Sequence, residues 1–241
     1  MYSRIIGTGK YLPDRVLSNF DLEKTLNTSD EWIRSRTGIE KRHIAAENQA
    51  TSDLAYEAAR IAIDDASLSP HDIDLILVGT ATPDLIFPNV ACLVQKKLGI
   101  RGAAAFSLEA ACSGFVYALT TADHFIRSGQ AGRALVIGAE CMSRIVDWTD
   151  RETCVLFGDG AGAVVLEGGD EPGIIGSKLA ADGSRSDLLR ASTGITDTEN
   201  EGKPPTIQMK GNEVFKLAVK TLGNIVDEIL EEHQLKKDAI D

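Results

Sequence analysis

The chain has 241 residues, 43% of them hydrophobic and 25% charged, enough to bury one large core or two smaller ones. Its formal net charge of −11 argues against a nucleic-acid partner, which needs a basic surface, although a few arginines can still make a local site for a small anion. No stretch approaches the ~20 apolar residues of a membrane span, the start MYSRIIGTGKYLP has no apolar leader core, and Cys92, Cys112, Cys141 and Cys154 lack CxxC or Cys/His ligand spacing, so the expectation is a reduced, cytoplasmic chain without zinc, disulfides or membrane contact.

In chain order, Ser3 to Thr8 reads as a first strand ended by Gly9 and the YLPD turn, and Ser18-Asn19 caps a short helix running to Leu26. Thr28 to Arg36 reads as a second helix, with Ser29 or Asp30 as cap and Glu31 in its first turn. Trp32 and Arg36, four apart, share a helix face. Two readings stay open for them: a core tryptophan beside a solvated arginine, or a pair that stacks on a flat ring and binds a phosphate. Thr51 to Ser67 has the 3.6-residue period of an amphipathic helix, stopped by Ser69-Pro70. Ile73 to Thr80, IDLILVGT, has the continuous apolar pattern of a strand covered on both faces. The proline-bounded loop TPDLIFPN follows, with Phe87 at its tip, where an aromatic more often tucks under its own loop. Asn89 to Leu98 is then a helix ended by Gly99.

The segment from Gly102 to Ser128 organises the rest. Ala103 to Leu108 reads as a short buried strand, and Phe115, Leu119, Ala122 and Ile126 have the spacing of a helix starting near Ser113. Cys112 therefore stands at the turn between them, flanked by Ala110, Ala111, Ser113 and Gly114. A sulfur there faces free backbone N–H groups and the positive end of the helix dipole, which favours thiolate and can hold a developing oxyanion. A buried structural thiol is the competing reading.

Arg133 to Glu140 is another buried strand, and Arg144 to Asp150 is irregular. The glycines of FGDGAGAVVLE, Phe157 to Glu167, precede the strand Ala163 to Leu166 instead of following one and opening a helix, which rejects dinucleotide and P-loop readings. They are read instead as allowing close backbone packing. Gly173 to Ala181 reads as a strand, followed by polar loops ADGSRSD and TGITDTENEGKPP. Gly211 to His233 is a long helix with an apolar stripe of Phe215, Ala218, Leu222, Ile225, Val226 and Ile229. The alternation predicts an α/β fold with a largely parallel sheet and helices on both faces.

ACSGF around Cys112, TPDLIFPN, SDEWIRSRTGI, FGDGAGA and MKGNEVFK, at these separations along the whole chain, resemble the β-ketoacyl-acyl-carrier-protein synthase III family. The resemblance implies a thiolase-like α/β fold, five-layer αβαβα, with two halves related by a pseudo-twofold: residues 1–170 carrying the nucleophile and residues 171–241 beginning the second. It implies a homodimer that initiates type II fatty acid synthesis. Acetyl-CoA would acylate Cys112, and decarboxylative condensation with malonyl-acyl-carrier protein would give acetoacetyl-acyl-carrier protein, with no cofactor. By the same resemblance Trp32 and Arg151 would sandwich the adenine of coenzyme A, Thr28 and Arg36 would contact its nucleotide end, and Asn212 and Phe215 would line the pantetheine tunnel. Phe87 would cross the dimer interface to bound the partner's acyl pocket, and Phe157 would help set pocket size. The family also pairs its cysteine with a His in a PHQAN-like motif and with a later Asn, and His43, His71, His124 and His233 lie in no such motif. The expectation is thus a chain truncated before those segments, unable to condense alone. Two further readings remain: a related synthase with another starter, or a catalytically silent dimeric module that binds carrier protein if the chain ends at Asp241.

Overall fold

The computed structural model describes residues 1–192 and 205–240, so most of the TGITDTENEGKPP loop lies outside the described residues. The strands and helices in order are β1 (Tyr2–Tyr11), β2 (Arg15–Ser18), α1 (Asn19–Glu23), α2 (Asp30–Thr37), β3 (Lys41–Ile44), α3 (Thr51–Asp65), β4 (Leu75–Gly79), α4 (Val90–Leu98), β5 (Ala104–Leu108) and α5 (Gly114–Arg127). They continue with β6 (Arg133–Cys141), α6 (Arg151–Cys154), β7 (Asp159–Gly169), β8 (Leu189–Ala191), β9 (Ile207–Met209) and α7 (Gly211–Glu232). The chain forms two compact units. One comprises Met1–Ser18, Glu40–Ser143 and Gly158–Ile174; the other comprises Asn19–Ile39, Arg144–Phe157 and Ile175–Asp241.

The first unit is built on a sheet ordered β1-β7-β6-β4-β5. Its side chains alternate between two cores, as the two-residue period of a strand requires. Ile76, Val78, Leu135, Ile137 and Val165 meet Leu54, Ala58 and Ala62 of α3 and Val90 and Val94 of α4 on one face. Leu75, Leu77, Val136 and Leu166 meet Ala118, Ala122 and Ile126 of α5 on the other. Helices thus cover both faces, as the apolar runs predict. The small antiparallel pair β2-β3 completes the unit.

Four sequence expectations are corrected here. The sheet is mixed: β4 pairs in parallel with β5 and β6, but β7 is antiparallel to both β6 and β1. β1 does not end at Gly9, because β7 offers a partner as far as Tyr11↔Ala161. Pairing with β6, which reaches Cys141↔Asp159, starts β7 at Asp159, so Gly160 and Gly162 lie inside the strand. β5 is half-exposed because it has β4 on one side only and forms the sheet edge.

In the second unit, α2 is the short helix the sequence predicts. The Ser29 hydroxyl accepts from the Trp32 N–H at 3.1 Å, and Gly38 closes the helix at φ 73°. Gly173 to Ala181 is not a strand; it has no ladder partner among the described residues. The apolar stripe of α7 is present but open: Phe215 is 70% exposed, Leu222 64%, and Leu230 alone is buried.

Candidate active site

β5 ends at Leu108, Ala111–Ser113 make one 3-10 turn, and α5 starts at Gly114. Cys112 sits in that turn and is exposed, whereas Cys141 and Cys154 are buried and Cys92 donates weakly to the Ala105 carbonyl at 3.5 Å. The junction is held tightly. A Cβ on Gly79 would stand 2.5 Å from the Gly114 carbonyl carbon and 2.8 Å from the Phe115 nitrogen, so β4 and the start of α5 meet backbone to backbone. Gly138 of β6 receives Phe115 the same way, with 3.3 Å from its would-be Cβ to the Phe115 Cβ. Ala111 adopts φ 43°, a left-handed backbone that a non-glycine residue enters only when its surroundings impose it. The sequence reading of Cys112 as the hinge of a strand-to-helix turn holds, and the buried alternative does not.

The second unit gathers a different cluster. The Arg36 guanidinium carbon lies 5.9 Å from the centroid of the Trp32 ring and that of Arg151 lies 5.1 Å from it. Arg151 Nη1 also donates to the Asn27 carbonyl at 2.6 Å. α6, which carries Arg151, is opened by Asp150 accepting from the Glu152 N–H at 2.9 Å. The next residue along from Asn27, Thr28, has its hydroxyl oxygen buried without a hydrogen-bond partner among the described residues. Four residues singled out in the sequence, Thr28, Trp32, Arg36 and Arg151, are thus assembled here, and Trp32 is half-buried instead of core. Two stacking contacts on either side of a base span about 7–8 Å. At 5.1 Å Arg151 therefore occupies the space of a ring stacked on Trp32 and must swing out to admit one.

The remaining candidates are more dispersed. Phe87 is 82% exposed on the loop before α4, not tucked under it. Phe157 is half-buried after α6, and Asn212 and Phe215 stand exposed near the start of α7. His43 Nδ1 lies 2.6 Å from the Pro13 carbonyl oxygen and His124 Nδ1 lies 2.7 Å from that of Thr120 on its own helix, which fits their structural reading. No group of three or more His, Cys, Asp and Glu side chains poised for a metal occurs among the described residues.

One feature escaped the sequence reading. Glu140, near the end of β6, accepts from the Ala81 N–H at 2.7 Å, from the Thr80 hydroxyl at 3.3 Å and from the Thr82 hydroxyl. Its only sequence signal is a lone carboxylate closing an otherwise apolar strand. Burial pushes its carboxyl above the ordinary value of 4.5, opposed by the hydrogen bonds from Thr82, Ala81 and Thr80. The folded state then holds this proton more tightly than the unfolded chain, so this group's contribution to stability is full below 4.5 and falls as pH rises through the folded-state value. Comparing urea midpoints of the wild type and Glu140→Gln across that window is expected to show this decline in the wild type only.

The first unit thus presents a mixed sheet between helical layers, with an exposed cysteine where a strand turns into a helix. The model of the 3-oxoacyl-[acyl-carrier-protein (ACP)] synthase III family matches residues 106–183, which include Cys112. Beta-ketoacyl-[acyl-carrier-protein] synthase III of Xanthomonas campestris pv. campestris strain 8004 is 57% identical over 243 residues, covering 100% of this chain and 75% of the relative. That of Thioalkalivibrio sulfidiphilus is also 57% identical, with the same coverage. Among solved structures, 3-oxoacyl-[acyl-carrier-protein] synthase III from Aquifex aeolicus VF5 superposes with a TM-score of 0.90 at 50% identity, over 97% of this chain and 73% of that one. The priming β-ketosynthase of the R1128 polyketide pathway gives a TM-score of 0.92 at 34% identity, over 98% and 71%. The chain belongs to the β-ketoacyl-[acyl-carrier-protein] synthase III family.

Proposed function

We propose that this chain carries the acyl-accepting half of a condensing enzyme that starts fatty acid synthesis. Cys112, exposed at the start of α5, is the observation that carries the reading. Its thiolate attacks the carbonyl of acetyl-CoA, the bond to the coenzyme A sulfur breaks, and that thiolate leaves and takes up a proton. Malonyl-acyl-carrier protein then loses CO2, and the resulting carbanion attacks the Cys112 thioester, giving acetoacetyl-acyl-carrier protein and free Cys112. A thiolate suits both steps, as nucleophile in the first and leaving group in the second. Neither step exchanges electrons with a redox group, so the chemistry needs no cofactor beyond the thioester itself. No counterpart of the family's His-bearing or Asn-bearing motif stands in this sequence, so the residues named here are assigned to the acylation step.

Trp32, Arg36 and Arg151 suit the nucleotide end of coenzyme A: the indole and the Arg151 guanidinium to sandwich adenine, and the Arg36 guanidinium to meet a phosphate on an otherwise acidic chain. The Thr28 hydroxyl adds a hydrogen-bonding atom that no other described residue engages. Asn212 and Phe215 are assigned to the pantetheine path, and Phe87 and Phe157 to the walls of the acyl pocket, Phe87 in the partner of a homodimer. No described helix is long and apolar enough to cross a membrane.

The division into halves, residues 1–170 and 171–241, is supported by a repeat within the chain. Ile5-Ile6-Gly7-Thr8 recurs as Ile174-Ile175-Gly176-Ser177. A Cβ on Gly7 would lie 2.7 Å from Ala66 just beyond α3, and one on Gly176 would lie 1.9 Å from the His233 ring just beyond α7. Each helix is followed by a left-handed residue, Ser67 at φ 56° and Gln234 at φ 54°, and then by a 3-10 turn at Pro70–Asp72 or Lys237–Ala239. The Leu68 N–H donates to the Ile63 carbonyl at 3.1 Å, and Leu235 repeats this with Leu230 at 2.8 Å. α7 is thereby matched to α3, which buries its own apolar face against a sheet.

Calorimetric titration with coenzyme A tests the nucleotide assignment. Trp32→Ala is expected to weaken binding by about 1–3 kcal/mol, the range for loss of one base–aromatic stack. Arg36→Ala is expected to weaken it and to flatten its salt dependence. Unchanged affinity in both variants would overturn the assignment.

A further inference from the structure

The side chains of β6 alternate between the two cores: Leu135, Ile137 and Ala139 face α3, while Val136 faces α5 and Gly138 meets Phe115 of α5. Glu140 follows on the α5 face, one step past Phe115 and toward the end of α5 that carries Cys112. Its three donors come from three consecutive residues, Thr80, Ala81 and Thr82, directly after β4. One Glu140 oxygen accepts from the Ala81 N–H and the other meets the Thr80 and Thr82 hydroxyls, so both are engaged by this stretch. The same stretch is held from behind. The Thr82 hydroxyl accepts from the Cys141 N–H at 2.9 Å, the Thr82 carbonyl accepts from the Thr51 hydroxyl at 2.5 Å, and Asp84 accepts from the Ser52 N–H at 2.9 Å. Past Asp84 stand three exposed apolar residues, Leu85, Ile86 and Phe87, before Asn89 caps α4 by accepting from the Cys92 N–H. A rigid arm thus ends in a free apolar tip.

We propose that Glu140 is a positioning residue for acyl-group selection: it locks the arm Thr80–Asp84 and thereby sets where Leu85, Ile86 and Phe87 stand. The proposal rests on the reading of Phe87 as a wall of an acyl pocket. A carboxylate that only staples the fold would change stability and leave the choice of acyl group untouched. One that sets the arm changes the choice at equal stability.

The test follows acyl transfer to the intact protein by mass spectrometry with acetyl-CoA, butyryl-CoA and isobutyryl-CoA, and reads the ratio of rate constants. Glu140→Ala is expected to shift the butyryl-to-acetyl ratio by about tenfold, the factor that one hydrogen bond to a charged group is worth. Glu140→Gln keeps the wild-type ratio, since its amide oxygen accepts from Ala81 and its amide nitrogen donates to a threonine hydroxyl. Asp123→Asn, which weakens the pair that buried Asp123 makes with the partly exposed Arg127 far along α5, supplies the control for lost stability. Thr82→Val cuts the arm while leaving Glu140 in place and decides the matter if Glu140→Ala does not fold. Its ratio is expected to move in the same direction. A ratio in Glu140→Ala or Thr82→Val that moves no more than in Asp123→Asn would overturn the proposal, as would an equal shift in Glu140→Gln. A wild type that accepts none of the three acyl groups would instead overturn the acyl-transfer reading, and this proposal with it.

Discussion

Gly79→Val is expected to slow acetyl transfer to Cys112 by on the order of a hundredfold, the scale of a 1 Å misplacement of a reacting group. The new side chain would fall on the backbone of Gly114 and Phe115, where the first carbon alone already comes to 2.5 Å. Backbone atoms cannot rotate aside, so α5 must lift from β4 and take the Cys112 turn with it. Stability is expected to drop as well, by about 1–3 kcal/mol, as for other overpacked cores. Gly162→Ala is the matched control, because a Cβ there meets nothing within 4 Å. Urea unfolding and the acetylation rate measure the two effects. If Gly79→Val acetylates as fast as Gly162→Ala, the close approach of β4 and α5 does not position the nucleophile.

The second large effect is expected at Asp159, the acidic residue of the FGDGAGA motif. It is 4% exposed and accepts from the Ala45 N–H at 2.7 Å, the Ser143 N–H at 2.8 Å and the Ser143 hydroxyl at 2.6 Å. Asp159→Ala strands two backbone donors near the start of β7, at about 1–3 kcal/mol each, so a total loss of about 2–6 kcal/mol is expected. Asp159→Asn keeps one acceptor and is expected to fall between the wild type and Ala. The check is the urea midpoint at unchanged slope, which separates a true stability change from a change in the unfolded state. A loss under about 1 kcal/mol would mean that water or nearby groups satisfy these donors. The motif is therefore a staple within the first unit and not a phosphate loop, as the order of its glycines and strand implies.

Local signals were readable where the residues themselves decide the outcome. Ser29 and Gly38 bound α2 because a hydroxyl cap and a left-handed glycine suffice to start and stop a helix. Cys112 falls at a strand-to-helix turn because the apolar period changes from a run to helical spacing there. Strand direction was not readable, since an alternating or continuous apolar pattern does not say which neighbour a strand has or which way it runs. Hence the pattern predicts a largely parallel sheet and a buried β5, whereas β7 runs antiparallel to both its neighbours and β5 lies at the edge. Gly173 to Ala181 has the composition of a strand without a ladder partner among the described residues, and composition cannot supply one. The pairing of Arg151 with Trp32 became visible through family resemblance, because no spacing links residues so far apart. Glu140 stayed hidden for a similar reason: its donors Thr80, Ala81 and Thr82 come to it through the parallel pairing of β4 and β6.

The central claim is that Cys112 is the acyl-accepting nucleophile. The most direct test is to incubate the intact protein with acetyl-CoA, weigh it, and map the modification by proteolysis. The account predicts a gain of one acetyl group on the peptide holding Cys112, none on Cys92, Cys141 or Cys154, and none in Cys112→Ala. An acetyl group carried by another cysteine, or retained in Cys112→Ala, would contradict it.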